Sequence, residues 1–146
     1  MIMLTLWTLV HTLTSSLHTP DYPMESKIET MLEVKLTKIK SNSHYDSFAN
    51  TNSIQLSDDI NFEKLILRRS IDNKTSFVSM EEIQGCIDIK EIEAHLGDLS
   101  PLTAPNPSST KENAIAFNWK VVNGVKVHFG FKSQNFKCLD SISMDI

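Results

Sequence analysis

Residues 115–131 read IAFNWKVVNGVKVHFGF, and the way this stretch folds back decides the architecture. Ile115, Phe117, Trp119 and Val121 alternate with Ala116, Asn118 and Lys120. Beyond Asn123-Gly124 the alternation resumes, with Val125, Val127, Phe129 and Phe131 set against Lys126, His128 and Gly130. Period-two alternation on both sides of an Asn-Gly pair is a β-hairpin signal. Two registers compete. A two-residue loop pairs Val122 with Val125 and sends the apolar rows to opposite faces. A three-residue loop, 122–124, pairs Val121 with Val125, Trp119 with Val127, Phe117 with Phe129 and Ile115 with Phe131. A slip of one residue turns every side chain over, so the second register is expected because it gathers both rows on one face. It also places Gly124 where a bulge needs a left-handed residue. Such a ribbon must pack against other segments, since a lone hairpin is marginal in water.

The chain has 146 residues, 40% hydrophobic and 22% charged, which suits one globular domain rather than a disordered chain. With only 4 Gly, glycine-rich phosphate loops are not expected. A net charge of -4 argues against a dedicated nucleic-acid binder, although it leaves room for a local basic patch. The 2 Cys, Cys86 and Cys138, do not make a zinc ribbon or a redox motif. They are a candidate disulfide in an oxidising compartment and free buried thiols otherwise, the second reading standing slightly ahead.

Residues 1–23 are the first of two regions. Residues 1–20 carry no Lys, Arg, Asp or Glu, and 1–10 (MIMLTLWTLV) are almost wholly apolar. The segment resembles the hydrophobic part of a signal peptide but lacks a basic start, and it is short for a membrane span. Signal or anchor, dispensable extension, and an element of the fold all remain open. Residues 24–146 then read as a single α+β domain.

Within that domain, Leu32, Val34 and Leu36 alternate with charged and polar residues, predicting a strand over 31–39. Residues 41–53 are polar and turn-prone, so a loop is expected, with Tyr45 and Phe48 either tacked to the core or exposed for binding. A short strand is expected at 54–56. Acids Asp58, Asp59 and Glu63 precede Lys64, Arg68 and Arg69, which suits a helix over 59–69, with Leu65-Ile66-Leu67 as a buried strand instead. Ser79 and Glu82 have capping-box spacing. Residues 87–97 fit a strand on Ile87 and Ile89, or a helix on Ile89, Ile92 and Leu96 ended by Gly97. Residues 99–111 hold three of the 5 Pro and read as a linker. A third strand is expected in 135–142, and 141–146 is expected to fray. The fold class is therefore α+β: an antiparallel sheet built on the hairpin 115–131, faced by one or two short helices.

No catalytic motif is present: there is no GxSxG, HExxH, Walker loop or dinucleotide fingerprint. The five His are scattered, and the acidic residues around His95 (Asp88, Glu91, Glu93, Asp98) lack metal-ligand spacing. A non-enzymatic role without metal, cofactor or small-molecule substrate is expected. Lys35, Lys38 and Lys40 are candidate contacts to acidic lipid head groups or RNA, and Arg68 and Arg69 to an anion, against the plainer reading of a solvated face. Asn73-Lys74-Thr75 is a glycosylation sequon that matters only in a secreted chain.

The run 32–42 (LEVKLTKIKSN) resembles the first core strand of rhabdovirus matrix proteins, which ends in a similar basic Ser-Asn turn. Residues 62–67 (FEKLIL), 114–121 and 129–142 resemble later segments of that family in the right order, covering about half of the domain. The resemblance implies a self-associating, membrane-peripheral virion protein whose partners are itself, an acidic membrane surface and the viral nucleocapsid. Thr103, Ala104 and Pro105 resemble part of a late-budding motif, although Leu102 stands where its first Pro belongs. The family's basic N-terminal arm is replaced here by an uncharged apolar segment. The competing expectation is a secreted β-rich binding protein with a cleaved signal peptide.

Overall fold

The computed structural model describes residues 4–15, 22–103, 115–132 and 137–146, without the side chains of Ile115 and Lys132. Helix α1 (Leu6–Ser15) and helix α2 (Met24–Leu32) lead into strands β1 (Leu36–Ser41), β2 (Tyr45–Asn50), β3 (Ile54–Gln55), β4 (Asn61–Ser70) and β5 (Ser76–Gln84). Helix α3 (Ile89–Leu96) follows, then β6 (Ile115–Val122), β7 (Val125–Lys132) and β8 (Leu139–Asp145). The described strands form one antiparallel sheet in the order β1-β2-β4-β5-β8-β7-β6, with β3 beside β4. The class is α+β. The hairpin of β6 and β7 lies at one border of this sheet, so the sheet is not built outward from it on both sides.

The hairpin register differs from the expected one. Val122 pairs with Val125, Trp119 with His128, Phe117 with Gly130 and Ala116 with Phe131. Asn123 (φ 51) and Gly124 (φ 79) both sit in the left-handed region, as a two-residue primed turn requires. That turn matches the strand twist, and it prevails over the tendency to collect all apolar residues on one face. Val127, Phe129 and Phe131 are consequently buried, while Phe117, Trp119 and Val121 point to the other face and are 40%, 41% and 50% exposed.

The core lies on the inner face of the sheet. Cross-strand rows such as Phe48–Leu67–Val78–Met144–Val127 and Leu65–Met80–Ile142–Phe129 run across it. All nine side chains are buried and belong to one cluster with Leu6, Leu9, Val10 and Leu13 of α1, Ile28 and Leu32 of α2, and Ile92 of α3. The apolar start of the chain is thus part of the packed interior. Asp58 accepts from the Leu6 N–H (3.2 Å), and the Asn123 side chain donates to Thr14 Oγ1 (3.1 Å), so both ends of α1 are pinned.

Several local expectations are corrected. Residues 24–32 are helical because Met24, Ile28 and Leu32 recur every fourth residue and bury one stripe. The strand begins only at Leu36, whose N–H donates to Glu29 Oε2 (2.9 Å). Residues 45–50 form β2 rather than a loop, with Phe48 buried and Tyr45 exposed. Residues 61–70 are a strand, not a helix: Leu65 and Leu67 enter the core on one face, and β2 and β5 satisfy the backbone on either side. Ser79 and Glu82 lie in β5 and cap nothing. For 87–97 the helix is the observed state: Asp88 accepts from Glu91 N–H (2.8 Å), and Gly97 (φ 87) ends it. The last strand spans Leu139–Asp145 and does not fray, because it is inserted between β5 and β7.

Cys86 and Cys138 form a disulfide with Cα atoms 4.7 Å apart, in place of the free thiols placed slightly ahead. It joins the end of β5 to the start of β8, next to the Leu139 N–H to Ile87 C=O bond (2.8 Å).

Two stability measurements check this packing. Leu9→Ala should cost about 2–4 kcal/mol in urea unfolding, as for a fully buried leucine; an unchanged midpoint would show that α1 is not part of the core. Reduction of Cys86–Cys138 should lower stability by about 2–4 kcal/mol.

Candidate functional site

The five cations singled out from the sequence do not form one patch. Lys35, Lys38 and Lys40 lie on or beside β1, the border strand opposite the hairpin, whose residues after Leu36 are all exposed. An open sheet edge invites unwanted strand addition, and lysines together with a bulge are the usual protection. Both are here: the register shifts between Lys38 and Lys40, and Ile39 at that shift is 59% exposed. Arg68 and Arg69, adjacent on β4, project to opposite faces of the sheet.

Arg69 is not a surface contact. Its guanidinium grips Glu25 of α2 with two bonds, Nε–Oε2 2.6 Å and Nη2–Oε1 3.1 Å, and reaches Asp46 of β2 at 3.3 Å. These side chains are only 10–17% exposed, so the group clamps α2 to the sheet. Asp46 also accepts from Ser41 Oγ (2.5 Å) and lies 3.6 Å from Lys38 Nζ. The Ser41 hydroxyl first, and then the Lys38 and Arg69 charges, hold the Asp46 carboxyl below its ordinary value, while burial pulls the other way.

The outer face of the sheet carries no helix among the described residues. One cross-strand row there runs Thr37, Ala49, Ile66, Ser79, Ser143, His128 and Trp119. The neighbouring row runs Lys40, Ser47, Arg68, Phe77 and Asp145, with Lys126 and Val121 paired beyond it. The Arg68 guanidinium lies 5.9 Å from the Tyr45 ring centre and 6.0 Å from that of Phe77. These three residues line a cleft of about 440 Å³ with Thr75, Ser76, Asp145 and Ile146. At the other end Lys126 Nζ stands 4.3 Å from the Trp119 ring centre. Strand β6 is backed by 100–103: Ser100 N–H donates to Trp119 C=O (3.0 Å), and Thr103 and Phe117 exchange two backbone bonds. Ser100 Oγ accepts from Trp119 N–H (2.8 Å).

Sequence reasoning assigned Phe117 and Trp119 to the core and so missed this face. The signal that could have found it was the Asn-Gly turn itself. Of the budding-like residues, Thr103 forms the bridge to Phe117, while Ala104 and Pro105 lie outside the described residues. Asn73 of the sequon is buried, accepting from Met24 N–H (3.3 Å) and donating to Tyr22 C=O (3.2 Å). The described residues hold no group of His, Cys, Asp and Glu suited to a metal, and no helix among them is long and apolar enough to cross a membrane. No protein-family model, curated protein or solved structure matches the chain.

Truncating adjacent arginines should separate their roles: Arg69→Ala costs about 3 kcal/mol by stranding Glu25 and Asp46, whereas Arg68→Ala stays within about 0.5 kcal/mol. Because the folded Asp46 pKa is depressed, its contribution is complete above the ordinary value of 3.8 and is lost as pH falls through the lower folded value. Asp46→Asn should therefore flatten the loss of stability on acidification in that range.

Proposed function

We propose that this chain is a non-enzymatic, matrix-like assembly protein that attaches to anionic membrane from one side and associates with further copies and with a nucleocapsid. The reading rests on the resemblance of its strand segments to rhabdovirus matrix proteins. The observation that carries it is the exposed apolar tip Ile39 at the β1 bulge, between Lys38 and Lys40. A small apolar tip entering the headgroup layer, flanked by cations drawn to anionic lipid, is a workable peripheral anchor. Attraction reaches only about 10 Å at moderate salt, so the overall negative charge does not prevent local contact.

The test is sedimentation of the full chain with phosphatidylserine-containing vesicles. Binding should be absent with neutral vesicles and should weaken as salt rises. Lys35→Glu with Lys40→Glu should weaken it by at least fivefold, since each surface cation contributes about 1 kcal/mol, and Ile39→Ser should weaken it further. A chain that stays in the supernatant at low salt rejects the proposal.

The second reading, a secreted β-rich binding protein, is favoured by one observation, the Cys86–Cys138 disulfide, since such bonds persist in oxidising compartments. Mass spectrometry of chain from a secretory host decides it. Oxidised cysteines in chain recovered from the medium support it, and an uncleaved Met1 with two free thiols removes it.

A further inference from the structure

Strand β6 is turned inside out. Asn118 is 1% exposed on its inner side, and its Oδ1 has no hydrogen-bond partner, while Trp119 and Phe117 stand about 40% exposed on the outer side. A slip of one residue would bury the rings and release the amide, and the Asn123-Gly124 turn forbids that slip. A sequence that keeps this arrangement accepts an unsatisfied buried amide and two exposed rings together. Such local conflicts mark functional surfaces more often than neutral ones.

The backbone that carries the rings is also held on β6. Both backbone groups of Trp119 bond to Ser100 and both of Phe117 to Thr103, while the two residues stand opposite His128 and Gly130 of β7 in register. Residues two apart on a strand project about 6.6–6.8 Å apart on the same face. From Trp119 the face runs over His128 and then the small side chains Ser143 and Ser79. Beside it runs a row with Lys126, Arg68 and Lys40 against a single carboxylate, Asp145, in a chain whose total charge is -4. Two cations of this row already rest against aromatic rings, Lys126 on Trp119 and Arg68 between Tyr45 and Phe77.

From this juxtaposition of exposed rings along β6 and a row of cations that crosses the strands beside Trp119, we propose that the open face of the sheet binds single-stranded nucleic acid. Bases stack on Trp119 and Phe117, and phosphates follow Lys126, Arg68 and Lys40. Sequence-tolerant strand binding combines these two elements, a cationic groove and stacking rings. Lys126 leaves the ring as a base arrives and takes a phosphate instead. A second copy of this chain is the poorer occupant, because stacking the face on itself opposes like-charged rows. The proposal goes beyond the membrane reading and stands without it, since Trp119 and Phe117 lie on the border strand opposite β1.

The experiment is fluorescence anisotropy of the full, oxidised chain with a labelled oligouridine of about 12 nucleotides, within the usual site sizes for such platforms, at low salt. Binding should weaken as salt rises. Trp119→Ser and Phe117→Ser should each weaken it by about fivefold or more, with unchanged circular dichroism. Lys126→Glu and Arg68→Glu should weaken it and reduce its salt dependence. Lys90→Glu on α3 should leave it unchanged. The proposal is overturned by any of three results: no binding at low salt, equal binding by the ring variants, or displacement of RNA by inorganic polyphosphate as readily as by unlabelled RNA. A concentration-dependent dimer that Trp119→Ser dissolves, without RNA uptake by the wild type, would make the face a contact between copies and overturn it equally.

Discussion

The two-residue turn at Asn123-Gly124 is the constraint on which the arrangement of both sheet faces depends. Asn and Gly accept the left-handed backbone that a primed turn demands, and the handedness of that turn suits the twist of the strands it joins. Once it forms, every residue of β6 has a fixed partner on β7, and the face of each side chain is settled. Val127, Phe129 and Phe131 then enter the core beside Ile142 and Met144, and Phe117, Trp119 and Val121 cannot follow them. The turn also reaches beyond the sheet, because the Asn123 amide bonds to Thr14 and so anchors the far end of α1.

Sequence pattern revealed the two strands of the hairpin though not their register, the short strand at Ile54, the α3 helix ended by Gly97 as one of two readings, and the mixed class of the fold. It misjudged segments where pattern and context disagree. Residues 59–69 carry acids before bases and apolar residues at helical spacing, yet they form a central strand. The reason lies in β2 and β5, which supply backbone partners on both sides, and no local feature of 59–69 records them. The polar run 41–53 hid β2 for the same reason: Phe48 is its one large inward side chain, and Asp46 is buried because Ser41 and Arg69 satisfy it. The apolar stripe of α1 was plain, but its destination was not, since a signal segment and a core helix share one composition.

The candidate site was less legible than the fold. Five cations were identifiable, but adjacent arginines on a strand serve opposite faces, which becomes decisive only once 61–70 is known to be extended. Arg69 then turns inward to bind Glu25 and Asp46, and Arg68 turns outward between two rings. A helix would have set both on one solvated end. The lysines of β1 have a sufficient structural role in guarding an open edge, so their exposure alone says little about partners. Ile39 at the bulge is harder to explain in that way, because edge protection calls for charge and not for an apolar tip.

The two unusual exposures, Ile39 on one border strand and Trp119 with Phe117 on the other, differ in kind. Ile39 protrudes from a strand that no other described strand pairs on its outer edge, so it suits a soft, deformable layer. The backbone of Trp119 and Phe117 is braced by residues 100–103 and paired in register with β7, and both rings stand on the outer face of the sheet. A fixed ring loses little conformational freedom when another flat group is laid on it, whereas a mobile one must first be ordered. Exposed rings on a braced strand, kept at the expense of an unpartnered Asn118 Oδ1, are therefore better matched to a planar ligand than to lipid. A sheet with helices on only one side leaves room for that separation: the inner face supplies stability, and the outer face is free to carry side chains that stability would not choose.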